Sequence, residues 1–296
     1  MGILKRHIVS DDFVSTRLYD YAPLIFAEIV SRKGIKKAIK RGEIRVNGKI
    51  SCDGYWVKPG DILERIEGAV TPPKPYDLSF AVIFEDDQMA IVNKPAGIDT
   101  SGNHYRTMQN AVMGVLKKST ATDALNWAKP VHRLDNSTSG LLVFAKTSRA
   151  LLELGNQFAN KTIKKTYHAI VVGTPERQGV ISSPVEGKDA ETKYDRLQTV
   201  RSIKNKHVSL LNVSPTTGRT HQIRIHLSRI EHAILGDKLY GKEGFILKNK
   251  GLFLCATSIH FHHPTTEQNQ TVSISIPPKF NKLMEREKRM WEKMNQ

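Results

Sequence analysis

The chain has 296 residues, and its 45 Lys and Arg against 29 Asp and Glu give a formal net charge of +16. With 39% hydrophobic residues it can bury a real core, which excludes a disordered chain. No run approaches the roughly 18 apolar residues of a membrane helix, and so large a basic excess points to a polyanionic partner.

Met1-Gly2-Ile3-Leu4-Lys5-Arg6 has no signal-peptide core, and Arg6 stands where a myristoylation pattern needs Ser or Thr. Residues 13–68 read as a small basic module of two helices and a hairpin. Leu18, Tyr21, Leu24, Ile25 and Ile29 lie near helical spacing, although Pro23 interrupts them. A second helix is expected over Ile35–Lys40, ending near Gly42. Glu43-Ile44-Arg45-Val46 alternates like a strand, and Asn47-Gly48 marks a tight turn. Arg32, Lys33, Lys36, Lys37, Lys40 and Arg41 crowd the second helix. A charge run on a short helix is usually solvent decoration; this one reads as lacking compensating acids, which favours phosphate binding.

Residues 69–78, with Pro72, Pro73 and Pro75, read as a semi-rigid linker. Residues 79–280 form the main, strand-rich domain, and 281–296 a charged surface helix or tail. Ala81–Asp87 reads as a buried strand meeting an acidic turn, and Met89–Ile98 as an apolar strand ending in Lys94-Pro95-Ala96-Gly97. Val131-His132-Arg133-Leu134-Asp135-Asn136-Ser137-Thr138-Ser139-Gly140 is a polar loop feeding the apolar run Leu141–Ala145. Chemistry tends to sit on such a loop held by a rigid scaffold. With Arg133 two residues away, Asp135 could be a carboxylate kept ionised for nucleophilic work. An isolated Arg-Leu-Asp would sooner be a turn cap. Arg219, His221, Arg224 and His226 cluster in Thr217–Leu227, whose alternation suits a strand or a strand entering a helix. They suggest an anion site, or else an exposed basic edge strand. Neither stretch holds a Walker loop or a dinucleotide fingerprint.

Other features carry less. His260, His262 and His263 resemble a metal cluster but lack a matching carboxylate or Cys set, so surface histidines are expected. No Gly-x-Ser-x-Gly elbow accompanies Ser137 or Ser139. Trp56, Trp127 and Trp291 are expected to pack. The separated Cys52 and Cys255 exclude a disulfide framework and suit a reducing compartment.

Arg17-Leu18-Tyr19-Asp20, Ile39-Lys40-Arg41-Gly42, Arg45-Val46-Asn47-Gly48-Lys49 and Val57-Lys58-Pro59-Gly60-Asp61 make the first region resemble the RNA-binding module named after ribosomal protein S-four. His132-Arg133-Leu134-Asp135-x-x-Thr138-Ser139-Gly140 and Gly218-Arg219-Thr220-His221-Gln222-Ile223-Arg224 resemble the two signatures of RluA-type pseudouridine synthases. Asn93–Gly97, Lys165–Gly173, Ala190–Tyr194, Ile234–Gly241 and Phe261–Pro264 follow in the family's order. Cys255 stands where that family often has His, and Ile98-Asp99-Thr100 is unusual after the Lys-Pro-Ala-Gly turn.

The resemblance implies an α+β catalytic domain with a mixed, largely antiparallel sheet behind a small α/β RNA-binding module. It implies Asp135 as catalytic aspartate, Tyr167 stacking on the base and Arg224 paired with Asp135. Arg133 would help open the RNA, and His132, Arg219 and His221 would join the basic residues of the module as RNA contacts. The reaction would isomerise a flipped-out uridine in structured RNA without metal or cofactor. Whether Asp135 attacks C1′ or removes a sugar proton stays open, as does the group that takes the C5 proton. Large-subunit ribosomal RNA is the first expectation for the substrate and transfer RNA the second. A cytoplasmic monomer is expected. A non-catalytic RNA-binding protein or chaperone, or a hydrolase releasing free base, are the alternatives.

Overall fold

The computed structural model describes residues 2–26, 29, 32–66, 72–241 and 250–295. The expected linker residues Ala69, Val70 and Thr71 lie outside them, as do Val30 and Ser31. The chain divides into two compact units, Met1–Thr71 and Pro72–Gln296.

The first unit contains β1 (Ile3–Ile8), α1 (Leu18–Ile25), α2 (Arg32–Lys40), β2 (Ile44–Val46), β3 (Lys49–Ile50) and β4 (Ile62–Ile66). The strands form one antiparallel sheet in the order β1-β4-β2-β3. Leu18, Ala22, Phe26, Ile35, Ala38, Ile39, Ile44 and Leu63 make its core. Asn47 and Gly48 both have positive φ, the requirement of a tight hairpin turn whose twist matches its strands. Asn47 also accepts from the Ile62 N–H and donates to Asp61, whose carboxylate accepts from the Lys58 N–H. One amide and one carboxylate thus tie two turns together. Strand β1 is absent from the sequence reading because it buries almost nothing: Ile3, Leu4 and Ile8 are exposed, and pairing with β4 is what makes it a strand.

Two expectations here are corrected. The basic residues of α2 are partly neutralised in space: Arg32 pairs with Asp20, Lys36 with Asp53 and Arg41 with Glu43. Lys33, Lys37 and Lys40 are exposed and make no ion pair among the described residues. Trp56 is not a core residue but 49% exposed, with the Arg17 guanidinium 4.2 Å from its ring centre.

The second unit is built on β5 (Ala81–Glu85), β6 (Met89–Lys94), β7 (Ala124–Pro130), β8 (Ser139–Thr147), β9 (Lys164–Val172), β10 (Gln178–Ile181), β11 (Thr192–Ser202), β12 (Lys206–Pro215), β13 (Leu254–His262) and β14 (Asn269–Ser273). Its helices are α3 (Met108–Ala111), α4 (Ser148–Ala159), α5 (Gln222–Arg229) and α6 (Pro278–Met294). The sheet runs β10-β11-β12-β9-β13-β8-β6-β5, with β14 on β13 and β7 on β8. Pairings are antiparallel except that of β13 with β8. Strand β8 is buried on both faces. Leu141, Val143 and Ala145 pack towards α4, and Leu142 and Phe144 join the larger core on the other side with α5 and α6. That double burial is why its sequence reads as a continuous apolar run.

The structure differs from the sequence reading at three elements. Strand β5 is an edge strand with Val82 37% exposed, not a buried one. Helix α6 starts at Pro278 and docks Phe280, Leu283 and Met284 into the core, so it is no loose tail. Thr220 and His221 form a turn and Gln222–Arg229 a helix, so of the expected strand entering a helix only the helix is present. Buried Gln222, Arg224 and His226 mislead a hydropathy pattern, because hydrogen bonds rather than apolar character keep them inside.

Gly140 opens β8 where it meets β13 in parallel. Its φ is +117°, and a Cβ there would come within 2.1 Å of the Ala256 carbonyl oxygen. Gly140→Ala is therefore expected to lower the unfolding free energy by more than about 2 kcal/mol, measured as a drop in the urea midpoint.

Candidate active site

The loop between β7 and β8 carries Asp135 at a turn closed by the Thr138 N–H on the Asp135 carbonyl at 3.0 Å. Two tethers fix this loop on either side of the aspartate. The Thr100 hydroxyl, 4% exposed, donates to the Leu134 carbonyl and accepts from the Leu134 N–H, each at 3.1 Å. Lys94, fully buried, donates to the carbonyls of Pro95, Ile98 and Asn136 at 3.0, 2.7 and 3.2 Å. Burial lowers its ammonium to about 8, against the opposing pull of Asp99 and Asp135. It therefore stays charged at neutral pH, with a proton for each carbonyl. The residues that looked unusual after the Lys-Pro-Ala-Gly turn thus supply one of the two tethers.

Arg224 projects from the first turn of α5. Its Nη1 lies 3.5 Å from Asp135 Oδ2. Its stronger partner is Asp237, which takes Nε at 2.7 Å and Nη2 at 2.8 Å in a two-pronged pair. Asp237 also accepts from the Leu239 and Tyr240 N–H groups at 2.9 and 3.1 Å. Burial alone would raise the Asp237 carboxyl, but Arg224 and those N–H groups outweigh it and hold it below its ordinary value. For Arg224 burial works against the charge, and Asp237 and Asp135 reverse it, so the guanidinium is held above its usual value. The Tyr240 ring packs 5.1 Å from that guanidinium, and its hydroxyl meets His221 Nδ1 at 3.0 Å. His221 has a left-handed backbone, φ 54°, at the entry to α5, and its Nε2 sits 3.8 Å from Asp135 Oδ2.

Helix α5 is itself anchored by buried polar bonds. Gln222 accepts from the Thr217 hydroxyl and the Arg219 N–H and donates to the Glu191 carbonyl and the Thr192 hydroxyl. His226 bonds the Thr192 hydroxyl at 2.9 Å and the Ser183 carbonyl at 2.8 Å.

A cleft of about 410 Å³ opens over these groups. Asp135, Tyr167, Lys165, His132, Arg133, Arg219, His221 and Arg224 line it. Tyr167 lies on β9, 8% exposed; burial, with Asp135 and Cys255 adding to it, pushes its phenol up, so it stays protonated. Of the expected cleft residues, Asp135, Tyr167, Arg224, His221, Arg219, Arg133 and His132 come together. The lysines and arginines of α2 lie in the other unit. Arg133 is exposed, and Arg219 donates to the Asp189 carbonyl at 3.0 Å. His132 plays a different part from a cationic RNA contact. Its Nε2 accepts the Val143 N–H at 3.2 Å, and its ring stacks on Phe158. Burial, aided by the charge of Lys165 and opposed by the Arg133 backbone, lowers it to about 3. His263 is not the surface histidine expected: it is buried and meets Asp86 at 2.7 Å.

Sequence reasoning missed Asp237, Tyr240, Lys94 and Thr100 as parts of this site. Each stood inside or next to a word already singled out, but only their contacts give them a task.

One buried carboxylate and one open to the cleft share a single guanidinium beside an aromatic, in a cleft with a basic rim, an arrangement suited to presenting a carboxylate to an anionic ligand. Residues 88–229 match the family described as RNA pseudouridylate synthase. The chain is 32% identical to the ribosomal large subunit pseudouridine synthase C of Vibrio parahaemolyticus, over 93% of this chain and 91% of that protein. It is 31% identical to an uncharacterized RNA pseudouridine synthase of Mycoplasma genitalium, over 85% and 87%. The fold is shared with human RNA pseudouridylate synthase domain containing 1, at TM-score 0.57 and 22% identity over 67% of this chain and 84% of that one. The chain belongs to the RNA pseudouridine synthases, of the RluA type. It is an isomerase that converts uridine to pseudouridine in RNA.

Two outcomes follow from the geometry around Asp135. Thr100→Val keeps the volume but strands both polar groups of Leu134, and is expected to cost about 1–3 kcal/mol, read from urea unfolding. Between pH 6.5 and 3 an unfolded His132 binds a proton that the folded one refuses, so the group's contribution to stability is lost as pH falls through that window. His132→Gln, which keeps an acceptor for the Val143 N–H, should flatten that stretch of the stability–pH curve.

Proposed function

We propose that the target uridine lies in large-subunit ribosomal RNA and that Asp135 acts on its ribose. The observation that carries the site assignment is the ion pair of Asp135 with Arg224, beside Tyr167 in one cleft. The substrate class is supported by the Vibrio parahaemolyticus relative, whose name is that of a large-subunit enzyme and which aligns over nearly its whole length.

In this reading the uridine leaves its stack and enters the cleft. Tyr167 offers a ring face to the uracil. Asp135, oriented by Arg224, meets the sugar; the N1–C1′ bond breaks, the base turns, and C5 bonds to C1′. The C5 proton leaves and N1 gains one, so nothing is transferred from outside and no cofactor is called for. Arg133, exposed at the cleft mouth, occupies the gap that the flipped nucleotide leaves. His221 and Arg219 lie on the RNA side of α5. Lys33, Lys37 and Lys40, with Arg32, Lys36 and Arg41, give the N-terminal module a cationic face for phosphates, as in the module it resembles. One chain supplies every group named, which suits a monomer, and a ribosomal substrate implies a cytoplasmic protein.

The test is a map of pseudouridine in total RNA from cells with and without this protein, rescued by wild type or Asp135→Asn. Particular positions in large-subunit RNA should be lost and restored by wild type alone, with the variant at least about 10³-fold slower on the purified RNA. Positions in transfer RNA would reassign the substrate; rescue by Asp135→Asn would overturn the role of the aspartate.

A further inference from the structure

Lys165 stands two residues before Tyr167 on β9, so both side chains leave the strand on the same face. It lines the same cleft as Asp135. Its Nζ reaches to 3.8 Å from the point where Gly218 would carry a Cβ, so the ammonium sits against the turn that leads into α5. The Phe158 ring lies 5.8 Å away, and no ion pair or hydrogen bond to Lys165 is present among the described residues. The nearby carboxylate is already engaged: Asp135 faces Arg224 and His221.

Lys165 is half-buried, and a half-buried cation without a counter-charge among the described residues is costly. Burial here pulls the ammonium below its ordinary value, and its charge adds to the burial that keeps His132 neutral. Among the described residues, the fold keeps this charge beside the loop that carries Asp135 and gives it no acid. A nucleotide entering the cleft brings the missing anion itself, because its ribose carries a phosphodiester on each side.

We propose that Lys165 is an anion subsite of the cleft, whose ammonium holds a phosphodiester flanking the target uridine and so fixes the ribose against Asp135. This rests on the reading that the uridine enters this cleft. A uracil carbonyl is the other acceptor the same ammonium could meet, and the experiment separates the two.

The measurement is the salt dependence of binding to a short oligouridylate by wild type, Lys165→Met and Lys165→Arg, each checked for folding by circular dichroism. Losing one phosphate contact to a single strand should reduce the slope of log affinity against log salt by about 0.7. Lys165→Met is expected to show that loss and Lys165→Arg to keep the wild-type slope. Weaker binding by Lys165→Met with an unchanged slope would give the ammonium to a uracil carbonyl and overturn the proposal, as would no change at all. A second measurement on the wild type needs no variant to fold. In lysine-selective NMR, uridine 3′,5′-bisphosphate should raise the Lys165 titration midpoint and uridine should not; equal behaviour overturns the subsite. Pseudouridine formation is scored separately. A missing activity with the slope change intact would sink the enzyme reading and leave the anion site standing.

Discussion

Everything in the catalytic unit converges on one buried guanidinium. Arg224 is 4% exposed and faces two carboxylates of unequal standing. Asp237 takes two of its prongs and two backbone N–H groups besides, so it is fully used. Asp135 receives the remaining nitrogen at 3.5 Å and stays 18% exposed towards the cleft. The planar, permanently charged fork of an arginine gives one carboxylate a two-pronged pair and still presents a third nitrogen to the other, a geometry that the single nitrogen of an ammonium does not reproduce. A buried charge of this kind demands that its partners be in place. Helix α5, the turn at residues 236–240 and the loop at 131–138 must therefore meet at one point.

The sheet makes that meeting rigid. Double burial of β8 fixes the end of the catalytic loop, and the parallel seam with β13 leaves room for nothing larger than Gly140. Lys94 and Thr100 hold the residues on either side of Asp135 by backbone contacts. The Gln222, Thr192 and His226 network holds α5 to β11. These are polar devices inside an apolar frame. A satisfied buried polar network is directional, whereas apolar packing alone would tolerate small slips of the loop.

The basic charge is graded by its surroundings. Arg32, Lys36 and Arg41 are drawn onto acids of their own unit, while Lys33, Lys37 and Lys40 are exposed and pair with no acid among the described residues. In the other unit Arg224 belongs to the interior, Arg133 to the surface, and Lys165 to the cleft, with no acid of its own among the described residues. Net charge alone would treat these as one class, although their desolvation differs widely.

The sequence by itself determined much of this protein. Turn residues such as Asn47-Gly48 act through local backbone geometry, and the apolar run of β8 follows from burial on both faces, so both are legible from short windows. The words around Asp135, Tyr167 and Arg224 brought the family, and with it the reaction, because each is a short run of specific side chains that survives as a local pattern in the chain. The tertiary structure decided what depends on distant partners. Strand β1 exists only through pairing with β4, and the docking of α6 depends on a core assembled elsewhere. The helical state of Gln222–Arg229 was hidden because three of its five buried side chains, Gln222, Arg224 and His226, are polar. Asp237 and Thr100 acquire their tasks only through contacts 13 and 34 residues away in the chain. The same reason explains His132: the sequence offers an imidazole, and burial against Phe158 and Lys165 turns it into a neutral acceptor. Side-chain identity is written locally, but burial and charge pairing are properties of the assembled fold.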